Sequence, residues 1–480
     1  MPWRDAVTPV PMSRVAVVAP RWALRDALVR VADAGTVEPE RVSDPGDRPI
    51  GDAARRLQRL ASDSRKTQPR LVAGEPDLDA LERAGRVDLL AGEAQLADHL
   101  ADAVVRDDVA ALVGWAPREQ VAVLARRLAE VGAAVTPLPP PRGVSPPTAA
   151  RPGGPREAFA PLVTTYATVP YADVDPTILA GLAYVVMFGA MFGDVGHGAL
   201  LLILALVLRL RRSPRLARLR PHWLFVAGAG LFSALFGLAY GECFGPTGLV
   251  PVGVLAPMEQ PIPLLLFGVG LGAMLLAGAY ALGTMNRVRE GGWSVALYAP
   301  SGLAGSLLFL AAGAAALVWY LHAGWLAIAA AVLALIGLVL AFVGLLASAG
   351  SGAAGLVQAV VELFDLVIRI GANVVSFARL AAFGLTHAVL GWIVWDATTG
   401  LWRRGPLGVT GAVVVFAAGN AVAFGLEALV AGVQALRLEY YELFSRVFQL
   451  EGRPFRPWHV PLADGSTVDE SAKEASCTPG

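Results

Sequence analysis

The sequence predicts a multi-pass α-helical membrane protein that carries a small N-terminal cytoplasmic α/β domain of two lobes joined by helices. Three observations lead there. Hydrophobic residues make up 55% of the 480 residues and charged residues only 16%, with a mean hydropathy of +0.56, a membrane-like balance. The average hides a break: Met1 to about Tyr171 is charged, whereas about Ile178 to Leu438 is largely long apolar runs. Within the first part, short apolar strand-like runs alternate with helix-periodic ones.

The N-terminal elements follow in order. Arg14–Ala19 (RVAVVA) reads as a buried strand, Arg21–Asp33 as a helix, and Gly35 as its stop. A second such unit comes late, with Ala110–Gly114 as strand, Arg118–Val131 as helix and Ala133–Thr136 as strand. Between them Gly51–Val105 is polar and helical with interruptions. These residues form the expected domain 1–136. The proline-rich stretch Pro137–Pro155 opens a stiff linker, 137–177. A transmembrane domain is expected over 178–450, and 451–480 as a cytoplasmic, partly disordered tail.

About eight spans are expected, near Ile178–Phe192, Gly196–Leu208, Trp223–Tyr240, Pro263–Gly283, Tyr298–Tyr320, Trp325–Leu346, Leu356–Trp395 and Leu407–Tyr441. A crossing needs about 20 residues. The first two are short and suit a tight, partly buried hairpin; the last two are long and should tilt. Arginines set the orientation. The Arg209–Arg220 loop holds six, and Arg287 and Arg289 follow on the same side, while Gly241–Gln260 has none. Both termini are therefore expected in the cytoplasm, although Arg403 and Arg404 run against the bias.

The remaining composition excludes several classes. Lysine is confined to Lys66 and Lys473, and Cys243 and Cys477 are the only cysteines. Without a CxxC pair, neither a metal centre of that type nor a disulfide framework is expected, and no cofactor is implied. The opening MPWRDAVTPVPMSR lacks the apolar core of a cleaved signal. There is no GxxxxGK(S/T) phosphate loop, which argues against a self-contained ATP-driven pump. Nothing points to nucleic acid.

Ionisable groups at bilayer depth are costly and call for a partner or a water-filled path. In the seventh span Glu362, Asp365, Arg369, Asn373, Ser376 and Arg379 recur every three or four residues and share one helix face, with Thr386 and His387 continuing it. From Asp365 to Arg379 the rise is about 21 Å at about 1.5 Å per residue. The eighth span has heptad spacing, Asn420, Glu427, Gln434 and Tyr441, with Arg437 three beyond Gln434. Structural ion pairs between two helices are the plainer reading of any one of these. Two stripes on adjacent spans favour an ion path.

Arginine stays protonated in proteins, so Arg379 cannot carry the proton itself. It can act on a carboxyl that approaches it. At about 4 Å and an effective dielectric near 20 the attraction is about 4 kcal/mol, roughly three pKa units. A carboxylic acid arriving there gives up its proton, which makes a fixed arginine a gate between two half-channels. The span directions put His387, Glu427 and Asn420 on the outer path, and Asp365, Asn373 and Glu362 on the inner one.

Several motifs resemble, in order, the membrane subunit a of vacuolar ATPases, called subunit I in bacterial and archaeal V/A-type ATPases. They are Gly114-Trp115-Ala116-Pro117, Pro146-Pro147-Thr148, Asp175-Pro176-Thr177, Phe188–Gly198 (FGAMFGDVGHG), Ala378–Leu390 (ARLAAFGLTHAVL) and Glu427–Arg437 (EALVAGVQALR) with the LEYYELFSRVFQLEGRPFRP that continues it. The resemblance implies that Arg379 faces a rotating proteolipid c-ring and that Arg437 is its partner arginine. It also implies Glu427 and His387 in the outer half-channel, Asp365 in the inner one, and Gln434 at a polar position. Implied partners are the c-ring, the peripheral and central stalks and, indirectly, the nucleotide-binding A and B subunits. The chain departs from the family at its front, where about 175 residues precede the membrane and family members have a longer domain with a coiled coil. Asp194 and His197 of the hairpin motif are expected to be structural, because glycines flank both.

The expectation is thus a static ion-channel subunit in a prokaryotic plasma membrane, not an enzyme on its own. A sodium-coupled version and a secondary transporter are the alternatives. The latter would show related halves, and no internal repeat is present.

Overall fold

The computed structural model describes residues 8–41, 50–60, 68–149, 151, 153–210, 216–217, 219–322, 324–350, 352–448 and 451–463. Lys66, Lys473, Cys477, residues 1–7 of the opening segment and residues 211–215 and 218 of the Arg209–Arg220 loop lie outside them. The chain divides into two compact units, one built from Pro9–Arg151 with the segment from Gly452, the other from Pro152–Glu451.

The first unit centres on β1 (Met12–Pro20), whose nine residues pair antiparallel with β4 (Val109–Pro117) on one side and β5 (Ala134–Leu138) on the other. β2 (Glu38–Pro39) and β3 (Val104–Arg106) add to β4. The expected strands are therefore correct, but the two lobes are not. All five strands form one sheet, because β1 has two edges to satisfy and finds partners about 100 residues away. Helices α1 (Leu24–Ala34), α2 (Asp52–Leu60), α3 (Leu78–Arg83), α4 (Val87–Asp102) and α5 (Arg118–Ala129) complete the unit. α1 ends as expected at Gly35, left-handed at φ 58°, whose N–H donates to the Val31 carbonyl. Arg14 crosses to Glu40 with Nε–Oε1 at 2.9 Å and Nη2–Oε2 at 2.7 Å.

The tail joins this unit. Trp458 and Val460 are buried in a core with Val15, Leu28, Val31 and Leu112. Val460 N–H donates to the Ala32 carbonyl at 3.1 Å, and Leu71 bridges Leu462 in parallel. So 453–463 of the expected partly disordered tail form a packed strap, in which apolar Trp458, Val460 and Leu462 alternate and bury one face. The linker also differs, since β5 takes its first residues and α6 (Pro155–Thr164) its middle, with Pro155 at the first turn, where its missing N–H costs nothing.

In the second unit α7 (Thr177–Met191) and α8 (Val195–Leu210) are short apolar helices joined through Phe192–Asp194. Then come α9 (Trp223–Tyr240), α10 (Pro261–Tyr298), α11 (Leu303–Leu321), α12 (Gly324–Ser348), α13 (Ala353–Ser376), α14 (Ala378–Trp402) and α15 (Pro406–Leu438). Among the described residues five helices are long and apolar enough to cross a membrane: Arg220–Tyr240, Pro261–Tyr298, Leu303–Leu321, Gly324–Ser348 and Pro406–Val447. α13 and α14 carry the charged stripe. They divide the expected seventh span at Phe377, whose side chain is fully buried in a seat that only a glycine at 272 leaves open: a Cβ there would lie 2.0 Å from the Phe377 ring. α10 runs 15 residues beyond its expected end and kinks at Gly291 and Gly292. α7 packs against α9, α14 and α15, and α14 runs along α15.

Candidate functional site

Two polar groupings are built around α14. The first starts at the hairpin turn. Asp194 stands before α8 and accepts from the backbone N–H of His197 at 2.8 Å and of Gly245 at 3.0 Å. Glycines at 196, 198 and 237 let the α8 and α9 backbones and the Phe244 ring approach within distances that a Cβ would forbid. His387, one helical face along α14, is hydrogen-bonded through Nδ1 to Glu427 of α15. Its Nε2 lies 3.9 Å from an oxygen of Glu242, just past α9. Asp194, His197, Glu242, His387, Asn420 and Glu427 are all buried. Phe192 stacks on His197 at 5.5 Å and leans on His387 at 5.1 Å. The amide of Asn420 donates to the Phe416 carbonyl.

The second grouping lies just before Arg379 in the chain. Ser376 donates to Glu442, and Arg379 Nη1 stands 3.7 Å from the same carboxylate. With its amide oriented to satisfy both ends, Asn373 donates to the Arg369 carbonyl at 3.1 Å and accepts from Arg446 at 2.8 Å. Glu439, Glu442 and Arg446 are buried. All three belong to the continuation of α15, a π-helical turn over Glu439–Phe444 followed by Ser445–Val447.

The expected residues thus divide. His387, Glu427 and Asn420 come together, as do Asn373, Ser376 and Arg379. Asp365 instead pairs with Arg369 on the exposed face of α13, and Glu362 accepts from Gln358 at 2.9 Å. Gln434 is half-buried with its oxygen unpartnered, and Arg437 is exposed with no ion pair among the described residues. Tyr441, the last of the heptad series, is 72% exposed, and its neighbour Glu442 is 7% exposed. The wider π turn slips the buried face by one residue. Sequence reasoning missed Glu242, Glu439, Glu442 and Arg446, and gave Asp194 and His197 a turn-forming role alone. Glu242 and Glu259 are the two charged residues of the arginine-free loop 241–260, and an acid so close to the end of α9 was the available signal for Glu242.

Fold and site together define a multi-pass helical membrane protein with acidic, imidazole and guanidinium groups buried between apolar helices. The sequence model of the V-type ATPase 116kDa subunit family matches residues 100–248. Curated relatives include the A-type ATP synthase subunit I of Aeropyrum pernix, 26% identical over 63% of this chain and 50% of its own length. Those of Halobacterium salinarum (28%, over 65% and 51%) and Archaeoglobus fulgidus (27%, over 72% and 58%) are also similar. Over the matched parts the chain is thus similar to V-type ATPase 116kDa subunits and A-type ATP synthase subunits I. The chain spans about half the length of the curated relatives it matches.

Proposed function

We propose that this chain is the static ion-channel subunit of a rotary V/A-type ATPase, supplying two offset half-channels and an arginine gate for protons. The observation that carries the reading is the pair of buried polar groupings on opposite sides of Arg379 along the consecutive helices α13 and α14. His387 lies eight residues on, about 12 Å at about 1.5 Å per residue. In this reading a carboxyl of a proteolipid c-ring releases its proton on reaching Arg379, with Arg437 beside it. The outer half-channel uses His387, Glu427 and Asn420. The inner one uses Asn373 and Ser376 with Glu442, and Asp365 and Glu362 extend it toward the cytoplasm. Gln434 stands between the two.

Eight crossings, with α13 and α14 as one bent span and both termini cytoplasmic, agree with the arginine-rich loop and the arginine-free one opposite. Peripheral and central stalks would hold the chain against the ring, and nucleotide chemistry would lie on A and B subunits. A prokaryotic plasma membrane fits the organisms of the relatives. The names of those relatives support a rotary-complex subunit.

The test is proton pumping by the whole complex reconstituted in vesicles. Arg379→Gln should abolish pumping, and Glu427→Leu should cut it at least tenfold while leaving assembly intact. Full-rate pumping by assembled Arg379→Gln complex would refute the reading.

A further inference from the structure

We propose that Asp194, His197 and His387 form a binding site for one divalent transition-metal ion of the zinc class, a role separate from proton transfer. One ligand atom from each lies within 4.8 Å of the other two. All three side chains are buried, none more than 4% exposed. Among the described residues neither ring nitrogen of His197 makes a hydrogen bond of good geometry, and its polar neighbours are Asp194 and the Asn420 side chain. A buried imidazole without such a bond is uncommon, and this one faces Asp194 at 3.8 Å and the His387 ring at 5.7 Å.

The donor chemistry fits. Zinc takes imidazole nitrogen at about 2.0–2.1 Å and carboxylate oxygen at about 2.0–2.2 Å in a tetrahedron, whose ligand atoms stand about 3.3 Å apart. Contraction of the widest separation, 4.8 Å at most, by about 1.5 Å closes it. Asp194 is held by two backbone N–H groups, from His197 and Gly245. Glu427 occupies Nδ1 of His387 and leaves Nε2 for an ion. A carboxylate behind a ligating histidine is the arrangement that fixes ring orientation in metal sites. Glu242, 3.9 Å from that Nε2, supplies a fourth oxygen or compensating charge. Three carboxylates share this pocket, and among the described residues their side-chain partners include histidines but no lysine or arginine. Phe192, Phe244 and Phe424 pack on His197 and wall the pocket with apolar surface.

An ion seated here would hold His387 and obstruct the outer half-channel; that consequence rests on the proposed function, whereas binding does not. The test measures binding alone. The purified full-length chain, stripped with chelator in nanodiscs, is titrated with zinc by calorimetry and with cobalt(II) by visible absorption. One equivalent is expected, with the intense visible bands of tetrahedral cobalt. His197→Ala, and the better space-filling His197→Gln, should weaken binding at least tenfold, while His322→Asn leaves it unchanged. Tryptophan fluorescence and gel filtration confirm that each variant is folded. Absence of stoichiometric binding, or equal affinity in folded His197→Gln, would overturn the proposal.

Discussion

Replacing Asp173 by asparagine should stabilise the protein above neutral pH and remove part of its pH dependence. Asp173 lies just ahead of α7, outside the membrane-spanning helices, and is 0% exposed. Burial first, then the facing Glu290 carboxyl, pushes it up to about 7 from its ordinary 3.8; Arg287 and Arg289 pull the other way. Arg287 is already engaged by Glu290 at 2.6 Å. The native state therefore keeps a proton that the unfolded chain releases above about pH 4. Its contribution is fully present below about pH 4 and is lost as pH rises through about 7. About three units at about 1.4 kcal/mol each is of the order of 4 kcal/mol. Asparagine keeps the shape, needs no proton and can donate to Glu290. Thermal unfolding in nanodiscs, followed by tryptophan fluorescence between pH 5 and 8, reads the effect. The wild-type midpoint should fall across that range and the Asp173→Asn midpoint should fall less, crossing above it by pH 8. A variant with an unchanged slope, or one less stable than wild type at pH 8, would refute the reasoning.

Other perturbations test the site and the strap. Gly272→Ala would press a methyl into the Phe377 ring; overpacking should cost about 1–3 kcal/mol and shift Arg379, so both melting temperature and pumping should drop, and unchanged values in both would discount the seat. Glu442→Gln keeps the Ser376 hydrogen bond but removes the charge 3.7 Å from Arg379. Pumping by the assembled complex should fall at least tenfold, and a wild-type rate would remove Glu442 from the inner path. Trp458→Ala deletes a buried ring whose Nε1 donates to Gln95 at 3.2 Å. It should cost about 3–5 kcal/mol and expose the strap to limited proteolysis, and resistance equal to wild type would contradict its packing.

Local patterning made the apolar helices, the strands at 14–19 and 110–114 and the stop at Gly35 readable, because each depends on neighbours in sequence. What escaped depends on distant partners. The pairing of β1 with both β4 and β5 leaves no local trace, so one sheet looked like two lobes. Trp458 and Val460 read as tail residues because their core lies some 400 positions earlier. At the site, His387, Glu427 and Asn420 were legible from their spacing, since α15 is regular there. Glu442 was not. The heptad count assumed a constant turn through Tyr441, and the π turn broke the phase at that point. Asp194 and His197 were visible as a motif, but glycine-flanked turns and ligating pairs look alike until the facing helix is in place.

On the proposed topology the strap also bears on parity. Because residues 453–463 finish the same body that residues 9–151 begin, the chain makes a closed circuit: it departs from that body and must come home to it. A circuit through a sheet of lipid can only return after an even number of passages. On that proposed topology, adding or deleting one passage would strand Trp458 and Val460 across the bilayer from the core they complete.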